Sequence, residues 1–253
     1  MPVTWVESQL GGFRARHDED DTRDARRVLQ SLALAELRMA ELFPRPVGEL
    51  TVILHSGVLS LSLAHPVLPL VWLSTAPAAR RYVAGWAGRD ELHVLSPKVL
   101  RGRASNVTGS REMLTLSAAA LYARRMVIEN NRDLTRVFGP VRARRELRWA
   151  WLIEGAGRWF SGQTDHARPA IARRLREGAR PRFPPGYRDS ALLGGTVFDL
   201  LATERGERAA AQLATRLDPA GPRAALVAAF GGRSLEHTEG AWRTHLARLA
   251  GAP

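Results

Sequence analysis

Apolar residues follow two different rhythms along the 253-residue chain. In the first hundred residues, short apolar runs at 50–54 and Glu91–Leu95 predict buried strands, and a loose alternation over 3–16 predicts another. Residues 23–43 carry apolar side chains at helical spacing, after an Asp-Asp-Thr N-cap and before two prolines. This part of the chain is therefore predicted to combine several strands with one long helix.

From residue 110 onward the pattern becomes helical, with Gly and Pro between the apolar stretches. The predicted helices cover 110–131, 147–162, 188–205, 207–217, 220–230 and 234–250. A Pro/Arg-rich segment at 177–186 is the best internal boundary. The predicted fold class is α+β, a small mixed N-terminal sheet with helices followed by a mostly helical C-terminal half. Its three parts are a strand-rich part at 1–109, a helix pair at 110–180 and a helical part at 181–253.

One motif in the middle of the chain carries a family resemblance. The sequence WLIEGAGRWFSGQ at 151–163 resembles the second zinc-ligand helix of the gluzincin metallopeptidases, the peptidase MA-like superfamily. In that family the Glu at the position of Glu154 is the third protein ligand of a catalytic zinc. Weaker matches stand in the family's order on either side of the motif, at 47–54, 81–97, 194–207 and 225–242. The resemblance therefore covers about 45–250 and implies a zincin-like fold with a substrate cleft.

The metal-binding half of that resemblance is missing. A gluzincin also carries H-E-x-x-H on an upstream helix, where two His bind zinc and the Glu activates water. In the corresponding helix, alignment on the Tyr and the trailing Asn pair places Ala120, Leu121 and Arg124 at those positions. A register slipped toward the N-terminus would start at Ser117 and place Ala118 and Leu121 there instead. Neither register supplies a ligand pair or a base, so the resemblance implies a pseudo-peptidase with no cofactor, whereas active relatives hold zinc.

The expected role is binding of a peptide or protein segment in the former substrate cleft. The segment is expected to pair along Glu91–Leu95, predicted to be an edge strand. We also expect Arg124 to replace the charge of zinc and to pair with Glu154. The candidate cleft residues are Trp86, Glu91, His93, Tyr122, Arg124, Glu154 and Trp159. An active zinc metallopeptidase with non-standard ligands is the alternative.

The net charge of +12 comes almost entirely from arginine, since Lys98 is the only lysine. Arginines cluster at 142–148 and 173–182, which keeps open a basic nucleic-acid- or membrane-surface-binding protein. Nucleic acid is the less favoured partner because both clusters lack interleaved stacking aromatics. The chain has no cysteine and no visible signal peptide, and its longest apolar stretch, 58–73, is too short and interrupted to span a membrane. A soluble protein is expected, cytoplasmic by default.

Overall fold

The computed structural model describes residues 4–131, 134 and 139–251. Its N-terminal part contains a five-stranded sheet with the order β1-β2-β3-β5-β4. The strands are β1 Trp5–Leu10, β2 Phe13–Asp18, β3 Leu50–His55, β4 Gly85–Ala87 and β5 Glu91–Leu95. The central strands β2, β3 and β5 are parallel, whereas β1 and β4 run antiparallel to their neighbours at the two edges. The sheet is therefore mixed, as the sequence predicts.

Helices pack on this sheet and make up most of the remaining described chain. The helices of the N-terminal part are α1 Thr22–Ala40, α2 Val58–Ala64, α3 Leu68–Ser74, α4 Pro77–Arg80 and α5 Pro97–Arg103. They are followed by α6 Ser110–Thr115, α7 Ser117–Asn130, α8 Gly139–Arg148, α9 Ala150–Phe160, α10 Arg168–Arg176, α11 Tyr187–Arg205, α12 Glu207–Thr215, α13 Pro222–Ala229 and α14 Leu235–Gly251. Short 3-10 helices lie at Glu19–Asp21 and Gln163–His166. The predicted α+β class is confirmed.

Helix α9 carries the WLIEGAG sequence and lies between α7 and α11. A Cβ atom added to Gly155 would lie 2.4 Å from the carbonyl carbon of Gly194 on α11, and one added to Gly157 would lie 2.9 Å from the carbonyl oxygen of Ala120 on α7. These distances leave no room for any side chain, so the helices approach backbone to backbone. The two glycines of the motif therefore fix the position of Glu154 relative to both neighbouring helices.

Three predicted elements differ from the structure. Of the alternating stretch predicted at 3–16, the part from Trp5 onward forms a hairpin, because Gly11 adopts a positive φ of 58° and reverses the chain between β1 and β2. The helix predicted at 110–131 is two helices that meet at Leu116. The predicted edge position of Glu91–Leu95 is wrong: β4 turns back antiparallel to β5 and takes the edge itself. No helix in the described part of the chain is long and apolar enough to cross a membrane.

Candidate functional site

A cavity of about 300 Å³ lies where α7 and α9 face the edge of the sheet. One wall comes from Ala120, Leu121 and Arg124 on α7, three positions that share a helix face. The opposite walls include Trp86 of β4 and Glu154 of α9. Apolar side chains of α3 and α8 border the remaining sides. The cavity therefore gathers, in one place, side chains of α7, β4 and α9 that are far apart in sequence.

An ion pair spans the cavity between its two helices. Arg124 Nη1 lies 3.1 Å from Glu154 Oε1, and the side chains are only 16 % and 25 % exposed. The guanidinium also lies over the ring of Trp86, with its central carbon 5.3 Å from the ring centroid. The buried Nε of Arg124 has no hydrogen-bond partner among the described residues. The predicted Arg124–Glu154 contact is confirmed, and it leaves the guanidinium only partly satisfied.

A second arginine, one helical turn after Glu154, holds α9 in place beside the cavity. Arg158 follows Glu154 by one helical turn and is buried. It donates from Nη1 to Oε1 of Gln163 at 2.6 Å and from Nη2 to the carbonyl of Tyr82 at 3.0 Å. Burial lowers the pKa of Arg158, whereas the nearby carboxylate of Glu154 raises it and Arg124 lowers it further. Arg158 therefore ties α9 to the segment that enters β4.

The outer edge of β4 faces the cavity. The carbonyl of Ala84 accepts a hydrogen bond from the Leu95 N–H, and the Gly88 N–H donates to the carbonyl of Glu91. Because antiparallel neighbours alternate, the main-chain groups of Gly85 and Ala87 point away from β5. Both residues are buried, and no other segment of the described chain bonds to their main chain. An edge with unpaired main-chain groups thus borders the cavity.

The structure brings together some of the predicted cleft residues and separates others. Trp86, Arg124 and Glu154 line the cavity. Tyr122 does not, because its ring is fully buried on the opposite side of α7, edge-on to Phe13. Trp159 does not either, because it packs against Phe160 and Phe198 in the core between α9 and α11.

Glu91 and His93 also lie outside the cavity, in a separate cluster of histidines. His93 accepts or donates through Nδ1 to Nε2 of His55 at 3.0 Å, and its Nε2 lies 3.2 Å from Glu91 Oε2. The ring of His65 lies edge-on to His93, with centroids 4.2 Å apart, and stacks on Trp86. Burial, followed by the neighbouring histidines, lowers the pKa of His55 to about 4. The cluster therefore supports Trp86 from behind the cavity wall.

The donor groups at the cavity do not fit a zinc ion. Catalytic zinc takes three protein ligands from His, Cys and carboxylate side chains. The carboxylates of Glu154 and Glu146 are the candidate donors in the described lining, and Arg124 places a positive charge beside the first of them. No group of three or more His, Cys, Asp or Glu that could hold a metal ion occurs within the described residues.

The arginine clusters differ in character. In the second cluster, Arg174 is buried and binds both carboxylate oxygens of Asp189, at 2.5 and 2.9 Å, while Arg173 pairs with Glu177. In the first, most of α8 is exposed, and the side chain of Arg142 lies outside the described residues. The second cluster is therefore partly a structural element and not a continuous basic surface.

Sequence patterns did not indicate Tyr187 or Val71, and they indicated Ser117 only as the start of the slipped register. Ser117 lines the cavity with a buried hydroxyl that has no partner in the described chain, and Tyr187 enters it from the start of α11. Burial raises the pKa of the Tyr187 phenol. Val71 comes from a helix that no sequence pattern predicted.

No family model, curated protein or solved structure matches the chain.

Proposed function

We propose that this chain is a catalytically inactive, gluzincin-like protein that binds an extended peptide or protein segment in its cavity. The observation that carries the proposal is the ion pair between Arg124 and Glu154. It stands where the resemblance places a histidine ligand and the glutamate ligand of zinc. A guanidinium there neutralises the partly buried carboxylate without a metal.

The edge of β4 suggests how a segment would bind. An extended peptide beside Gly85 and Ala87 would accept and donate hydrogen bonds that these buried main-chain groups otherwise lack. Its side chains would alternate between the face of Trp86 and the apolar side of the cavity. The main chain would supply affinity, and the cavity would supply selectivity. This binding mode corrects the expected pairing along Glu91–Leu95, which is covered by β4.

Selection of random dodecapeptides displayed on phage, with the full-length chain immobilised, tests the binding. We expect selected peptides to protect the amides of Gly85 and Ala87 from hydrogen exchange. Ala87→Pro removes one outward N–H and leaves the hydrogen bonds to β5 intact. It should therefore lower the affinity of the selected peptides about tenfold or more. Leu34→Ala, at an exposed position on α1, is the matched control. Peptides that bind without protecting β4 would contradict this mode of binding.

Elemental analysis separates this proposal from the alternative of an active enzyme. We expect no stoichiometric zinc in the purified chain and no peptidase activity after zinc is added. About one zinc per chain, lost in Glu154→Ala, would restore the metallopeptidase alternative. A triple variant carrying Ala120→His, Leu121→Glu and Arg124→His sharpens the test, because it should bind zinc if the register is right. The same three changes started at Ser117 provide the matched control.

A further inference from the structure

Helices α2 and α3 form an uncharged segment in a chain that is otherwise rich in arginine. No Asp, Glu, Lys or Arg occurs between Glu49 and Arg80. His65, between the two helices, is the only ionisable side chain in 58–74, and burial lowers its pKa, which favours the neutral form. The segment thus presents no formal charge to solvent at neutral pH.

Each of the two helices exposes a stripe of aliphatic side chains. Leu59 and Leu63 of α2 are 74 % and 73 % exposed, and Leu70 and Leu73 of α3 are 64 % and 71 % exposed. Their spacing of four and three residues places each pair on one helix face. The opposite faces insert Leu61 and Leu68, both completely buried, into the core. The helices are therefore anchored by one apolar face and present a second one outward. Val58 and Val67 extend the outward face.

The hydroxyl and indole groups of the segment all donate to main-chain carbonyls. The hydroxyls of Ser60, Ser62, Ser74 and Thr75 donate to main-chain carbonyls of the preceding turn, at 2.7–2.9 Å for the shortest contact of each. The indole N–H of Trp72 donates to the carbonyl of Val83 at 2.8 Å. Serine and threonine that bond back to their own helix need no water. These hydroxyls and the indole can therefore leave water without losing a hydrogen bond.

Arginines surround the end of this apolar surface. Arg80 follows it in α4, and Arg188 is held beside it by the hydrogen bond from the Ala76 N–H to the Arg188 carbonyl, 3.0 Å. Both side chains belong to exposed residues. The guanidinium of Arg103 lies over the ring of Trp72, 5.7 Å from its centroid. The carboxylate of Glu177 accepts from the Ala78 N–H and is already paired with Arg173. This end of the surface is therefore basic.

We propose that α2 and α3 dock this protein on an anionic phospholipid membrane, with the exposed leucines in the acyl boundary and the arginines among the phosphates. An aliphatic surface bordered by positive charge matches the two layers of such a membrane. Protein interfaces, in contrast, are enriched in aromatic residues, Met and Arg at their centre, whereas this surface exposes Leu, Val and Ser. Each helix has seven residues, which is about 10 Å of length and far too short to cross the membrane.

This inference goes beyond peptide binding and does not depend on it. Val67 and Val71 of the same segment line the cavity, so membrane docking would place one wall of the cavity at the lipid surface. A ligand would then be presented from, or beside, the membrane. The two proposals share a location but fail separately, because one concerns the edge of β4 and the other the outward leucines.

Co-sedimentation of the full chain with vesicles tests the docking. The probes are vesicles of phosphatidylcholine alone and of phosphatidylcholine with about one third phosphatidylglycerol. We expect the chain to bind the anionic vesicles. The affinity should fall about tenfold or more in the double variant Leu63→Gln with Leu70→Gln, since each substitution removes an aliphatic side chain that the membrane would bury. The matched control is Leu34→Gln with Leu37→Gln, two α1 leucines that are 68 % and 69 % exposed and should have no effect.

Charge is tested separately. Arg80→Gln with Arg188→Gln should weaken binding to the anionic vesicles and leave binding to neutral ones unchanged. Three results would overturn the proposal. The wild-type chain could stay in the supernatant with anionic vesicles, or the α1 control could weaken binding as much as the α2–α3 variant. Sedimentation velocity could also show that the wild-type chain is a dimer and that the α2–α3 variant is a monomer. The last result would assign the surface to a second copy of this chain. Circular dichroism of each variant confirms that it is folded.

Discussion

Two arginine–carboxylate pairs in this protein, one buried and one partly exposed, are built in opposite ways. Arg174 binds both oxygens of Asp189, donates to the carbonyls of Glu177 and Ala179, and is 4 % exposed. Arg124 makes one contact with Glu154, has an unpartnered Nε within the described chain, and faces a cavity. Neighbouring groups accept hydrogen bonds from every part of the Arg174 guanidinium, whereas the Arg124 guanidinium still has a donor that no described residue uses.

This difference separates a structural pair from a candidate site. A buried ion pair repays the cost of desolvation only when hydrogen bonds satisfy its remaining groups. Arg174 meets this condition through two helices and a loop, as expected of a group that holds α10 to α11. Arg124 does not meet it, because its buried Nε has no hydrogen-bond partner among the described residues. The pair at the cavity is therefore the less completely satisfied of the two.

Removing the satisfied pair should have the largest effect. Arg174→Ala leaves Asp189 buried without a partner and exposes two carbonyls, so we expect a loss of about 3–5 kcal/mol in the free energy of unfolding. Urea denaturation of the variant gives the value. Arg176→Ala, at an exposed position two residues on, is the control and should change stability by less than about 0.5 kcal/mol. A loss for Arg174→Ala as small as that of the control would remove the distinction between the two pairs.

The cavity pair should contribute less, because its side chains are partly exposed. We expect Arg124→Ala to cost about 1–3 kcal/mol, with part of the loss coming from the Trp86 contact. Adding Glu154→Gln should recover much of it, since no uncompensated charge then remains. A double-mutant cycle by urea denaturation measures the coupling free energy. A coupling free energy close to zero would mean that water solvates the Glu154 carboxylate as well as Arg124 does in the folded protein.

Acid should loosen the cavity region before the Arg174 region. The pKa of His55 is lowered to about 4 by burial and by His93 and His65, so the folded state keeps His55 neutral. Its contribution to stability is complete above the unfolded pKa of about 6.5 and is lost as the pH falls toward 4. Protection from hydrogen exchange, measured relative to the intrinsic exchange rate at each pH, should therefore fall in α2 and β4 ahead of α10 between pH 6.5 and 4. His55→Gln should reduce that difference, and a uniform loss of protection across all three elements would contradict the expectation.

The smallest expected effect concerns nucleic acid. Because Arg174 is committed to Asp189, the cluster at 173–182 keeps only scattered exposed arginines. We expect duplex DNA to bind no more tightly than about 10⁻⁴–10⁻⁶ M at physiological salt, without sequence preference. Fluorescence anisotropy over a salt series measures this affinity. A tight, sequence-selective complex that persists at physiological salt would revive the nucleic-acid alternative.

The sequence predicted the sheet class, the late helices and the Arg124–Glu154 contact, each from a local pattern or a motif. It failed where tertiary contacts decide the structure. The edge strand was misassigned because the pairing of β4 with β5 depends on a turn, and β4 is only three residues long. Tyr122 was placed in the cleft together with Arg124, yet residues two apart on a helix do not share a face, and Tyr122 faces Phe13 on the other side of α7. Helices α2 and α3 were missed because prolines divide them into lengths without a clear period.

The contact of Gly155 with Gly194, and of Gly157 with α7, has a consequence for how this molecule can change over time. The separation of the cavity walls is encoded in main-chain atoms and not in the shapes of side chains. Residues 120, 121, 124 and 154 can therefore be exchanged without altering the distance between the helices that carry them. A lineage could lose one chemistry at these positions and gain another while its scaffold stays under the same selection. The glycines, rather than the charged residues, determine the geometry of the site.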